Sequence, residues 1–166
     1  MNQLEIVKIW LLRRRYHSAG GAERFTQRLA SMLTQKGHEV WIAAEDWPAS
    51  NDCRVQKISS HSPSGYSHAC AKEVLLKDKV VFSLERTSRQ HIYRAGDGIH
   101  ASWLKRREKF QSPIQKMFSS WMPKHRKVLE LEKEVFDPAN TQWVVANSQL
   151  IKNEILEYFK FPEERI

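Results

Sequence analysis

An open α/β sheet of mainly parallel strands covered by helices is the fold class this sequence predicts, and three observations carry it. The chain opens with a strand, a glycine turn, a helix and a second strand, which is one βαβ unit. Apolar runs and stretches of helical periodicity go on alternating beyond that unit. The 166 residues, 41% hydrophobic and 28% charged, suffice for one globular domain with a core of its own.

The opening strand is the apolar run from Ile6 to Leu12, and the turn is His17-Ser18-Ala19-Gly20-Gly21. Ala22, Phe25, Leu29, Met32 and Leu33 then recur at helix-face spacing and predict a helix whose core stripe they form. Lys36 sits in its last turn and Gly37 ends it, after which His38 to Ala44 is a mostly apolar strand. Trp47 to Asp52 is a loop by its turn residues, and Arg54 to Ile58 alternates like a half-buried strand. After a second loop, Ser59 to Gly65, a helix is expected from Tyr66 to about Lys77. Val80 to Leu84 and His91 to Ala95 are short strands, and a helix begins near Ile99. Pro113 opens a helical stripe of Ile114, Met117, Phe118, Trp121 and Met122, and Pro123 breaks it. Val128, Leu131 and Val135 mark a new helix that ends before Asp137-Pro138. Gln142 to Ala146 is expected to be a buried strand. Asn147 and Ser148 then cap a last helix with Leu150, Ile151, Ile155, Leu156 and Phe159 on its apolar face.

Two places in this pattern invite a ligand. Gly20 and Gly21 let backbone approach a bound group, and the helix start beside them offers unpaired N–H groups and a partial positive charge suited to a phosphate or diphosphate. By shape alone a tight strand-to-helix turn explains the two glycines as well. The turn lacks the Gly-Lys-Ser/Thr of a P-loop and the spaced glycines of a dinucleotide fingerprint. Gly96-Asp97-Gly98 is the second place. Like the first it falls at the carboxyl end of a strand, where open α/β sheets bind ligands, so both can face one cleft. By spacing alone, Asp97 reads best as a turn residue or a helix cap.

The motifs Gly20-Gly21-Ala22-Glu23-Arg24, Leu29-Ala30, Lys36-Gly37-His38-Glu39-Val40, His91 to Gly98, Leu131 to Phe136 and Val144 to Ser148 stand in one order along the chain. In that order they resemble the N-terminal, acceptor-side domain of family 4 retaining glycosyltransferases of the GT-B type, and most of all lipopolysaccharide core glucosyltransferases. The resemblance implies a Rossmann-like domain with helices on both faces of the sheet, spanning residues 1–166. It implies transfer of a hexose, with UDP-glucose the expected donor, to a lipopolysaccharide core or related glycan. It places Asp97 at the catalytic site and brings Gly20 and Gly21 to the donor diphosphate, and it matches Glu132 to an acid of the family. Glu85, Arg86 and Arg89, in the loop between two strands, are candidates for binding the acceptor, although they read equally as solvated loop charges. The second domain of the resembling enzymes, with its Arg/Lys pair and Glu-x7-Glu signature, has no counterpart in these residues. The chain is therefore expected to need a separately encoded donor-binding domain and to be inactive alone.

Charge points to a surface as well. Between Trp103 and Lys127 stand Lys105, Arg106, Arg107, Lys109, Lys116, Lys124, Arg126 and Lys127 against the single acid Glu108, which is nearly all of the chain's formal +8. With Phe118 and Trp121 on the apolar stripe, Lys105, Arg106, Arg107, Lys109 and Lys116 suit an anionic membrane surface, where a glycolipid acceptor would be held. The same stripe also suits packing on the sheet. The first residues do not read as a secretory signal, because Glu5 comes early and Lys8 interrupts a short apolar run. A cytoplasmic protein touching the inner face of the membrane is expected.

Cys53 and Cys70 show neither metal nor disulfide spacing, and the seven histidines are scattered, so no metal and no cofactor other than the nucleotide-sugar substrate is expected. A pI near 9.6 and six tryptophans raise the alternative of a nucleic-acid-binding module. The basic residues gather in one helical segment without a nucleic-acid-binding motif, and no nucleic-acid partner is expected. A protein-interaction domain without catalysis is the remaining alternative.

Overall fold

In a computed structural model, which describes residues 5–50, 52–74, 78–110 and 123–166, six parallel strands form one sheet in the order β3-β2-β1-β4-β5-β6. The elements run β1 (Lys8–Leu12), α1 (Gly21–Gln35), β2 (Glu39–Ala44), β3 (Arg54–Lys57), α2 (Pro63–Glu73), β4 (Val80–Ser83) and β5 (Gln90–Ala95). They continue with α3 (His100–Glu108), α4 (Pro123–Val135), β6 (Thr141–Ala146), α5 (Gln149–Phe159) and a 3-10 turn at Glu163–Arg165. The stripe from Ile114 to Met122, with Lys116, Phe118 and Trp121, lies outside the described residues.

Strand β1 sits at the centre because both of its faces are apolar. Leu11 pairs with Ile42 on one side and Phe82 on the other, and Leu11 and Leu12 are wholly buried. The chain steps outward to β2 and β3, returns across β1 and steps outward again through β4, β5 and β6. The reversal falls between β1 and β4, where a crevice opens at the carboxyl ends of the strands.

Helices cover both faces. Ile9, Leu11, Val40, Ile42 and Ala44 pack under α1 through Ala30, Leu29 and Leu33. On the opposite face Trp10, Leu12, Ala43 and Val81 pack against Tyr66, Cys70 and Val74, from α2 and its C-cap. That layer continues where Tyr93, Ala95 and Val144 meet Val135 of α4 and Ile151 and Ile155 of α5. Ser62 caps α2 by accepting from Gly65 N–H at 3.0 Å, and Ser148 caps α5 by accepting from Ile151 N–H at 3.3 Å.

Four expectations need correcting. The buried face of α1 is Glu23, Thr26 and Ala30, while Phe25 and Met32 are exposed, so the apolar stripe is turned to one side of the core. Strand β6 is an edge strand on which Trp143 and Val145 are about half exposed, and it is not buried on both faces. Helix α2 occupies Pro63–Glu73, starting earlier than Tyr66 because Ser62-Pro63 is a strong helix start. Helix α4 likewise begins at Pro123, a first-turn position that suits proline. At the sheet's edge, Arg165 donates to the carbonyls of Gln142, Thr141 and Pro138 at 2.5, 2.5 and 3.1 Å, which ties down the start of β6.

Candidate active-site cleft

Five segments meet at the carboxyl ends of β1, β4 and β5. They are the residues after β1, the start of α1, Glu85 and Arg86 after β4, the Gly96–Gly98 loop after β5, and Glu132 from α4. Arg13 ties the first three together. Its guanidinium lies 2.8 Å from Glu23 and 3.2 Å from Glu85, and it donates to the Leu84 carbonyl at 3.3 Å. Burial works against charge on Glu23, yet the hydrogen bond from Arg13, the residue's own backbone N–H and the charge of Arg13 outweigh it and hold the carboxyl below its usual range. For Glu85 burial wins over the attraction of Arg13, and its carboxyl is pushed up.

This network separates the two glycines of the turn. A Cβ on Gly20 would collide with the Glu23 carboxylate, so Gly20 is required by the folding of Glu23 under the loop. A Cβ on Gly21 meets nothing within 4 Å. Gly21 stands in open space at the start of α1, and no side chain caps that helix. Of the two, only Gly21 has open space about its Cα.

The start of α3 is finished differently. Its N-cap is Ile99, without a capping side chain, and Asp97 is not the cap. Glu132, fully buried, reaches across from α4 and accepts from His100 N–H at 2.5 Å and Ala101 N–H at 3.1 Å. Arg86 balances its charge at 3.2 Å, and Arg86 also donates to the Gly98 carbonyl at 3.0 Å and stands 3.7 Å from Asp97. Glu132 is therefore a structural acid of the interior. The sequence signal that could have found it is position: it sits one residue from buried Leu131 on a helix whose other acids, Glu130 and Glu134, are less buried.

Asp97 is exposed and borders a pocket of about 320 Å³ with Arg86, Gly98, His100, Trp103 and Arg106. Sequence reasoning missed His100 and Trp103. His100 Nε2 lies 3.0 Å from His125 Nδ1, and the His100 ring stacks on Trp103 at 5.4 Å between centroids. Burial, then His125 and Arg86, lower the pKa of His100, which favours its neutral form. Arg106 is held 2.8 Å from Glu154. Of the acceptor candidates, Glu85 and Arg86 have internal partners and Arg89 is exposed away from these contacts. Lys105, Arg107 and Lys109 are exposed on and beyond the last turn of α3, next to an almost fully exposed Phe110.

Cys53 and Cys70 are free thiols, and burial raises both, Cys70 to about 12. Among the described residues no cluster of three His, Cys, Asp or Glu is placed to hold a metal, and no helix is long and apolar enough to cross a membrane.

An all-parallel Rossmann-like sheet, wound from a central first strand and open at its switch point, is the architecture of one half of a GT-B glycosyltransferase. The chain belongs to glycosyltransferase family 4, whose sequence model matches residues 19–166. Among solved structures it is similar to WaaG, a glycosyltransferase involved in lipopolysaccharide biosynthesis, with a TM-score of 0.74, 16% identity and coverage of 95% of this chain and 43% of that one. A glycosyltransferase from Rickettsia africae ESF-5 is similar with a TM-score of 0.53 and 17% identity, over 98% of this chain and 42% of that one. The chain thus spans less than half the length of either. No curated protein matches it.

Proposed function

We propose that this chain is the acceptor-side half of a hexosyltransferase, carrying sugar from a nucleotide donor such as UDP-glucose to a lipopolysaccharide-core or related glycan in partnership with a donor-binding domain. The observation that carries the reading is the pocket beside Asp97, which opens beyond the carboxyl ends of β4 and β5. The acceptor sugar would lie against Asp97, His100 and Trp103, with the exposed Asp97 carboxylate accepting from its hydroxyls. The donor diphosphate would approach Gly21 at the start of α1, where N–H groups and the helix dipole favour an anion. Without a donor domain most of the contacts to the nucleotide are missing, and each 1.36 kcal/mol of lost transition-state binding is about tenfold in rate.

Work at the inner face of the cytoplasmic membrane belongs to the same reading. The cationic end of α3, with Trp103 and Phe110 beside it, suits anionic headgroups. Sedimentation with phosphatidylglycerol vesicles but not phosphatidylcholine vesicles is the expected result, and equal binding to both, or to neither, counts against it.

The deciding experiment is transfer from labelled UDP-glucose to a heptose-terminated core acceptor, by this chain alone and by this chain mixed with the donor-binding half of a related enzyme. Activity in the mixture alone is expected. Folded protein that is inactive in both sinks the proposal.

A further inference from the structure

Three arginines around the cleft have acidic partners. Arg13 is met by Glu23 and Glu85, Arg86 by Glu132 and Asp97, and Arg106 by Glu154. Arg94, near the carboxyl end of β5, takes part in no salt bridge or side-chain hydrogen bond among the described residues, yet it is held in place. Its guanidinium carbon lies 4.4 Å from the centroid of the Phe25 ring, on α1. On another side it rests against Gly96, where an added Cβ would collide with Nη1 and come within 3.4 Å of the guanidinium carbon.

Packing thus fixes the plane of the group without using its N–H donors. Neighbouring Tyr93 and Ala95 point into the opposite core, so Arg94 stands on the α1 face of the sheet. Trp103 and the pocket beside Asp97 belong to the loop and helix that follow β5. Phe25, which is exposed instead of facing the core, gains a role here as the platform for the guanidinium.

We propose that Arg94, clamped between Phe25 and Gly96, is a phosphoryl-binding residue of this cleft. A flat guanidinium already immobilised, with parallel N–H groups unspent, loses little entropy on accepting a phosphate oxygen pair. The assignment rests on the sugar-transfer reading only for the owner of the phosphoryl group, which is either the diphosphate of the donor or a phosphate carried by the acceptor. A site that binds phosphate in a chain that never supports transfer would leave this inference standing and remove that reading.

The test is calorimetric titration of the 166-residue chain with inorganic pyrophosphate, UDP and glucose 6-phosphate, beside circular dichroism to confirm folding. Arg94→Met is expected to weaken binding by about tenfold or more, and Arg94→Lys to recover part of it, because a lysine supplies charge without the planar fork. Gly96→Ala keeps the charge and dislodges the group, so it should weaken binding while the fold survives. A loss confined to pyrophosphate and UDP assigns the site to the donor, and one confined to glucose 6-phosphate assigns it to the acceptor. Wild-type chain that binds none of the three, or Arg94→Met that binds them as well as wild type, overturns the site. Full affinity in Gly96→Ala overturns the clamp.

Discussion

Helices α1 and α3 begin at the same end of the sheet, a few strands apart, and their first turns are completed in opposite ways. At α3 both oxygens of the buried Glu132 take the free N–H groups, and Arg86 neutralises the acid. At α1, among the described residues, no side chain from another element reaches the free N–H groups, and Glu23 meets only its own. The one acid of that first turn, Glu23, bends under the loop to Arg13. The first arrangement spends a helix start on holding the domain together. The second leaves one open where a ligand can use it. A glycine-flanked helix start is therefore not a binding site by composition, because what decides is whether the chain supplies its own anion.

The strongest way to break this contrast is to remove the internal anion. Glu132→Ala leaves Arg86 buried without its partner and two amides unpaired, and a loss of about 3 to 5 kcal/mol in denaturant unfolding is expected. Glu132→Gln, which keeps one carbonyl acceptor, should lose less. A midpoint unchanged in both would mean that the α3 start is not closed as described. Asp97→Ala touches the exposed acid next door. Unfolding should hardly change, while transfer in the two-component assay falls about a hundredfold, the scale of one preorganised group at a reacting centre.

The two glycines sharpen the comparison at the α1 side. Gly20→Ala forces the Glu23 carboxylate aside and is expected to cost about 1 to 3 kcal/mol. Gly21→Ala, free of contacts at a helical position, should stay within about 1 kcal/mol of wild type or stabilise it. Equal costs would undo the distinction between them.

The smallest effect is in pH. Glu23, held low, contributes stability that is present above its unfolded pKa and lost as pH falls through its folded value. Glu85, pushed up by burial, destabilises the fold above its raised value and is relieved as pH falls toward the unfolded one. Unfolding free energies of Glu23→Gln and Glu85→Gln between pH 3 and 7 should therefore deviate from wild type with opposite signs.

The sheet was legible because buried parallel strands read as apolar runs stopped by turn residues, and five were visible that way, while β3 showed itself by alternation. Faces were harder to read. Phe25, Leu29 and Met32 carry helical periodicity, but the buried face includes Glu23, whose ion partner Arg13 lies ten residues back across a loop. No periodicity encodes that pairing. Glu132 was singled out by resemblance, but its burial was hidden for the same reason, since its partners lie more than thirty residues away. Arg94 was invisible because its significance lies in a missing Cβ at Gly96 and a ring on another element. The role given to Asp97 came from resemblance, and nothing in its spacing would have preferred it to a cap.

The strand order also bears on how the domain is made. Read along the chain, β2 docks on β1, β3 on β2, β4 on β1, β5 on β4 and β6 on β5. Every strand after the first, on leaving the ribosome, thus meets a neighbour already synthesised. Assembly can proceed outward from the centre in step with translation.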